Sequence, residues 1–233
     1  MRFEILTLFP EIFSSFLSES LLARALAKGL ISVELINIRN FTSDKHRTVD
    51  DRPYGGGYGM VLKPEPIGLA LESLLAKGGP KPFLIYLSPA GKLLNQPLTR
   101  TLAQHRRLIL ICGRYEGVDQ RVLDHYGAFN LSIGDYIVNG GEVPAMVVIE
   151  AVSRLIPGFL GEMGSAENDS FSDGLLEHPV YTRPRIYKGL EVPDTLLSGN
   201  HRQIELYRQQ KAVEKTISER PELLTPSKDQ EKE

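Results

Sequence analysis

Residues 108–144 read LILICGRYEGVDQRVLDHYGAFNLSIGDYIVNGGEVP, and this stretch decides the fold. Two apolar runs of strand length, Leu108–Cys112 and Ala128–Ile133, each end in a loop dense in glycine. The first loop is Gly113-Arg-Tyr-Glu-Gly117; the second, GDYIVNGG, runs from Gly134 to Gly141. A helical pattern follows each loop. Open α/β sheets bind their ligands at the carboxyl edge, where strands give way to such loops. Glycine there lets the backbone approach a bound molecule closely. The stretch is therefore expected to form the ligand-binding centre.

The flanking sequence extends the alternation. Arg2–Phe9 alternates apolar residues with Glu4 and Thr7, as a strand does. Pro10 stands where a helix tolerates proline, and Ile12, Phe13, Phe16, Leu17, Leu21, Leu22 and Leu26 recur at helical spacing up to Gly29. Ile31–Ile38 is the next strand. Pro64–Lys77 reads as a helix, Phe83–Leu87 as a short buried strand entering a Ser88-Pro89-Ala90-Gly91 loop, and Leu98–Gln104 as a short helix. Val143–Ile156 is apolar nearly all round and predicts a buried helix, stopped by Pro157-Gly158. The whole predicts an α/β fold with a mostly parallel sheet and helices on both faces.

From 159 to 174 the composition shifts to Gly, Ser, Asp, Glu and Asn, which predicts a flexible linker. It separates a main domain over 1–158 from a small helical domain over 175–233. In the latter, Ser198 or Asn200 is expected to cap a helix running through Ile204 and Tyr207.

Composition narrows the function. Cys112 is the single cysteine of the 233 residues, so neither an intramolecular disulfide nor a multi-cysteine zinc site is available. At the end of an apolar strand, it reads as a small buried hydrophobe. His46, His105, His125, His178 and His201 are scattered without an HExxH. No apolar run has membrane-spanning length, and a cytoplasmic protein without a membrane partner is expected. No GxxxxGK[ST] occurs, and GGGYGM has Met60 where a GxGxxG needs glycine, which argues against nucleotide triphosphate hydrolysis and a common dinucleotide fold. Residues 39–63 break the strand–helix pattern and place Arg39, Lys45, His46, Arg47 and Arg52 beside Tyr54 and Tyr58. Cations interleaved with aromatics suit RNA phosphates and stacked bases; a plain surface loop is the other reading.

Several long motifs in one order carry a resemblance. They are FEILTLFP (Phe3–Pro10), DDRPYGGGYGMVLKPEP (Asp50–Pro66), LSPAGK (Leu87–Lys92), CGRYEGVDQRV (Cys112–Val122) and SIGDYIVNGGEVPAM (Ser132–Met146), followed by EAVSRLIPG, ENDSF and HPVYTRPRIYKG. Across all but the charged tail, the chain resembles the bacterial tRNA (guanine-N1)-methyltransferases of the TrmD type, in the SPOUT class. Gln120 and Asn139 depart from it, where the family often has Glu and Ser. The resemblance implies methyl transfer from S-adenosylmethionine to N1 of guanosine-37 in tRNA, next to the anticodon and preceded by another guanosine. It further implies a C-terminal trefoil knot in the sheet domain, tRNA binding by the C-terminal domain, and a homodimer whose subunits share the active site. Magnesium is implied for the transfer step, but no Asp/Glu cluster identifies its ligands.

By the same resemblance Asp169 is the general base for the N1 proton, and Arg154 stabilises charge on the neighbouring O6. Read without it, Asp169 is one of several linker carboxylates and Arg154 the exposed edge of a helix. The cofactor needs an apolar slot and backbone amides rather than a phosphate cradle. Tyr86, Leu87, Ser88 and Pro89 supply one expected wall, and Gly113, Tyr115 and Glu116 a second. Ile133, Gly134, Asp135, Tyr136, Ile137 and Val138, with Gly140, Gly141 and Pro144, supply the third. Glu116 reads more simply as a cap of the following helix, and Asp119 and Asp135 as turn formers. Arg183, Arg185 and Lys188 are candidates for tRNA phosphates; a plain solvated face is the other reading. A non-catalytic RNA-binding protein of the same fold and a ribose 2′-O-methyltransferase are the alternatives at this level.

Overall fold

The computed structural model describes residues 1–160 and 169–224; half of the expected linker, and the charged tail, lie outside them. The chain divides into two compact units, Met1–Met163 and Gly164–Glu233.

In the first unit β1 (Arg2–Thr7) leads through a 3₁₀ turn at Pro10–Phe13 into α1 (Ser14–Ser18) and α2 (Ser20–Ala27), then β2 (Ser32–Asn37). The single helix expected over this stretch is two: Glu19 is extended and Ser20 takes φ 59, so the apolar stripe turns a corner. β3 (Asp50–Asp51) and β4 (Val61–Leu62) form a small antiparallel ladder at the base of the 39–63 loop. α3 (Pro64–Ala76), β5 (Phe83–Leu93), α4 (Gln96–Ala103), β6 (Arg107–Cys112), α5 (Gln120–Tyr126), β7 (Phe129–Ser132) and α6 (Glu142–Ser153) complete the unit.

The main sheet has the order β2-β1-β6-β5-β7, and every pairing in it is parallel. β6 sits at its centre with all six residues buried. Its side chains alternate between two cores as strand geometry demands. Leu108, Leu110 and Cys112 join Phe3, Ile5, Leu22 of α2, Leu102 of α4 and Val148 of α6, whereas Ile109 and Ile111 join Leu71 of α3 and Val122 of α5. Helices thus cover both faces.

β5 differs from expectation in running through to Leu93 instead of stopping at Leu87. Leu131 pairs with both Leu87 and Lys92, so Ser88–Gly91 bulge out of the ladder. Gly91 makes this bulge possible: a Cβ on it would strike the backbone of Asn130 and Leu131. α6 is likewise not buried all round. Val148, Ile149 and Val152 face the core, but Val143 and Val147 are exposed.

The second unit contains α7 (Asp194–Leu197) and α8 (His201–Glu219), and also a short hairpin, β8 (Ile186–Tyr187) with β9 (Leu190–Glu191), which the helical expectation omits. Asn200 is the N-cap of α8, accepting from Gln203 N. Thr216 of α8 is fully buried and its hydroxyl accepts from Leu176 N at 2.9 Å, tying the chain at Leu176 to the helix. Among the described residues no helix is long and apolar enough to cross a membrane.

Candidate functional site

The carboxyl ends of β5, β6 and β7 bring three loops around one cavity of about 340 Å³, within the range of small-molecule sites. Tyr86–Pro89 form one wall and Gly113–Gly117 the second. Ile133, Gly134, Tyr136–Gly141 and Pro144 form the third, over Leu131 and Ser132. Every expected wall residue lines the cavity except Asp135.

Close approach explains the glycines here. A Cβ on Gly113 would stand 2.9 Å from the Tyr86 hydroxyl, and one on Gly117 3.0 Å from it, so these glycines leave room for the phenol. Burial pushes the Tyr86 phenol above its ordinary pKa. Tyr136 folds over Gly134 and donates from its hydroxyl to the Ile133 carbonyl at 3.2 Å. Ser132 Oγ closes the same turn, donating to Gly134 O and accepting from Gly134 N. Tyr115 takes φ 58 between the two glycines of its loop. A non-glycine residue held there costs about 1–3 kcal/mol and is typical of ligand sites.

Gly140 and Gly141 are constrained by different neighbours. A Cβ on Gly140 would fall inside van der Waals contact with Arg114 Nε, the far end of a side chain. A Cβ on Gly141 would stand 2.6 Å from Cys112 Cα, which is backbone and cannot swing away. Gly141 N also donates to Gly113 O at 2.9 Å, locking the second loop to the first. Gly140→Val is expected to weaken cofactor binding by evicting Arg114, and Gly141→Ala to abolish it, with calorimetric titration as the measurement. Wild-type affinity in Gly141→Ala would contradict this geometry.

Sequence reasoning passed over Arg114, Gly117, Leu131, Ser132 and Asn139, which also line the cavity. Arg114 pairs through Nε with Glu142 at 2.9 Å, donates to Asn139 O and lies over the Phe9 ring. One signal pointed to it: a glutamate opening an apolar helix needs a cationic partner. The Cys112 thiol nearby is fully buried, and burial pushes its pKa far up, with the Glu142 carboxylate adding to the effect and Arg114 opposing it. The small-hydrophobe reading holds.

Glu116 is not the cap of α5. Asp119 is, accepting from Arg121 N at 3.0 Å, and the Arg121 guanidinium holds its carboxyl below the usual carboxylate range. Glu116 instead meets the 39–63 loop, its side chain filling the space a Cβ on Gly59 would need and its N–H donating to Met60 O. Leu62 N donates to Gly117 O, and Asp119 N to Leu62 O. The base of the long loop is therefore stitched to the cavity wall, while Tyr54 and Tyr58 at its tip are 98% and 97% exposed.

Arg154 is the C-cap residue of α6 in the first unit, its N–H bonded to Glu150 O. Asp169 belongs to the second unit, where its carbonyl accepts from Ser172 N at 3.1 Å. Arg183 and Arg185, with Arg208, line a separate cavity of about 410 Å³ in that unit. Among the described residues no group of three or more His, Cys, Asp or Glu is placed to hold a metal ion, so no ligand set for magnesium is identified.

Comparison with known proteins agrees with this geometry. The family model described as tRNA (Guanine-1)-methyltransferase TrmD matches residues 1–226. A tRNA (guanine-N(1)-)-methyltransferase of Moorella thermoacetica is 53% identical over 225 residues, covering 96% of this chain and 90% of the relative. One from Dehalococcoides mccartyi strain 195 is 51% identical over 224 residues, with the same two coverages. One from Carboxydothermus hydrogenoformans is 53% identical over 224 residues, covering 96% of this chain and 87% of the relative. With the match running through all three loops of the cavity and on into the second unit, the chain belongs to the tRNA (guanine-1)-methyltransferase TrmD family.

Proposed function

We propose that the protein transfers a methyl group from S-adenosylmethionine to N1 of guanosine-37 in tRNA, giving 1-methylguanosine. The observation that carries this reading is the convergence of three strand-end loops on one cavity whose walls are largely backbone and apolar side chain. S-adenosylmethionine has no phosphate, and such a pocket offers amides for the adenine edge and apolar surface for its faces. Leu87–Pro89, Gly113–Tyr115 and Ile133–Gly141 would hold it. Bound there, it supplies a methyl group already activated as a sulfonium.

The protein's own part is then to place guanine and remove its proton. Guanine N1 is a poor nucleophile while protonated, so Asp169 accepts that proton as general base. Arg154 donates to O6 and stabilises the charge that develops there. A base buried in a stacked anticodon loop is out of reach, so the nucleotide must be extruded. The exposed Tyr54 and Tyr58, on a loop stitched to the cavity wall, suit stacking on such unpaired bases. Arg183 and Arg185 of the second unit, two positions from exposed Tyr181 and Tyr187 respectively, suit tRNA phosphates.

The reading extends to a homodimer in which Asp169 of one copy serves the cavity of the other. Ile137 on the cavity rim and Val143 and Val147 on α6 leave apolar surface uncovered in the single chain, as a subunit contact requires. It extends also to a trefoil knot, for which the tight crossings at Gly91 and Gly141 leave room. Magnesium belongs to the expectation from resemblance, and no step above is routed through it. The test is mass mapping of nucleosides in tRNA incubated with the protein and S-adenosylmethionine. 1-Methylguanosine 3′ of the anticodon is the expected product; a ribose-methylated nucleoside or no methylation would overturn the reading.

A further inference from the structure

One cavity-wall residue without a part in the chemistry above, Arg114, is paired with a buried carboxylate behind the wall, Glu142. Glu142 is 1% exposed in the first turn of α6. One of its carboxylate oxygens accepts from Thr7 Oγ1 at 2.7 Å, where Thr7 is itself fully buried at the carboxyl end of β1. The other accepts from Arg114 Nε at 2.9 Å. Arg114 Nη1 donates to the Asn139 carbonyl at 3.2 Å, and the guanidinium lies 4.6 Å from the Phe9 ring centroid. The guanidinium thus crosses from the first glycine loop to the second over Gly140, and Glu142 decides where it lies.

Burying a carboxylate is costly unless it is paired and hydrogen-bonded, and an apolar core of the same volume would often be as stable. What the pair changes is the charge at the wall. Arg114 lines the cavity, and alone it would add a full positive charge there. The proposed methyl donor is cationic at sulfur, whereas its demethylated product, S-adenosylhomocysteine, is neutral at that atom.

The geometry points to Glu142 as a positioning residue with two effects. Through Arg114 it fixes the spacing of the two glycine loops, and it cancels the Arg114 charge so that the cavity accepts a sulfonium. This inference rests on the reading that the cavity binds S-adenosylmethionine. Loss of the tether weakens both compounds alike, but loss of the charge balance separates them. Glu142→Gln leaves Arg114 uncompensated and disfavours the cation; Arg114→Met leaves Glu142 uncompensated and favours it.

The experiment is calorimetric titration of the full chain at pH 8 with each compound in turn, for wild type, the two single variants and the double variant. In Glu142→Gln the affinity for S-adenosylmethionine should fall about tenfold further than that for S-adenosylhomocysteine. In Arg114→Met the ratio should move the opposite way, and in the double variant it should return to the wild-type value while both affinities stay reduced. General structural damage lowers both affinities together and cannot reverse sign between variants. Arg114 is one-fifth exposed, so its variant carries the test should Glu142→Gln fail to fold. A ratio that is the same in Arg114→Met and wild type overturns the inference. Wild-type protein that binds neither compound overturns the reading beneath it as well, so the two failures are told apart by the wild-type titration alone.

Discussion

Asp169→Ala is expected to lower the single-turnover rate of methyl transfer by about 10²–10⁴-fold, the usual contribution of a positioned general base. Affinity for S-adenosylmethionine should stay within a few-fold of wild type. The separation follows from placement: every residue lining the proposed cofactor cavity belongs to the first unit and Asp169 to the second. Single-turnover conditions matter because product release limits many enzymes and would hide a slower chemical step. Asp169→Asn sharpens the test. It keeps the volume and an acceptor oxygen but cannot take a proton, so a base role predicts nearly the same loss as alanine. A role in merely orienting the guanine predicts that asparagine retains most of the rate. Near-wild-type turnover in both variants would remove Asp169 from the mechanism.

How much of this was legible in the sequence depends on the range of the interaction. The strand–loop–helix rhythm of 108–144 is local, and β6, α5, β7 and α6 fall close to where the apolar runs place them. The cavity walls follow, because a parallel sheet delivers the ends of neighbouring strands to one edge. Asp135 and Glu116 show where locality stops helping. Either could face a ligand or the chain, and only the fold decides that Asp135 is off the wall while Glu116 lines it and also packs against Gly59. The β5 bulge was hidden for a related reason. Ser88-Pro89-Ala90-Gly91 has the composition of a loop, and its continuation as strand depends on a crossing with Leu131 some forty residues away. β1 is the sharpest case. Its alternation of Glu4 and Thr7 with apolar residues suggests one wet face, yet both are fully buried. Each is satisfied by a charged group more than a hundred positions distant, Arg107 for Glu4 and Glu142 for Thr7.

That burial makes Glu4→Leu the second large effect, here on stability. Glu4 lies between β2 and β6 and receives a two-pronged contact from Arg107, Nε to Oε2 at 2.7 Å and Nη2 to Oε1 at 3.1 Å. Arg107 is only 2% exposed and also donates to the carbonyls of Leu74 and Gly78 at the end of α3. It thereby gives the Leu74 carbonyl a second donor beside Lys77 N and supplies one to Gly78, just past the helix. Removing the carboxylate strands a buried guanidinium, an error worth about 3–5 kcal/mol. Against a total stability of about 5–15 kcal/mol, that brings the first unit close to unfolding. Arg2 also reaches Glu4 Oε1 at 2.7 Å, but its side chain is more than a third exposed and is resolvated when the partner goes. The double variant Glu4→Leu/Arg107→Met should recover much of the loss, because a buried pair exchanged for apolar side chains is often close to neutral. It should not recover all, since the Leu74 carbonyl loses its charged donor and keeps only Lys77 N, whereas the exposed Gly78 carbonyl turns to water. Urea denaturation of the four proteins measures all these differences. A Glu4→Leu cost below about 1 kcal/mol would mean that water reaches Arg107 once the carboxylate is gone, and that the interior of the sheet is less closed there than its packing indicates.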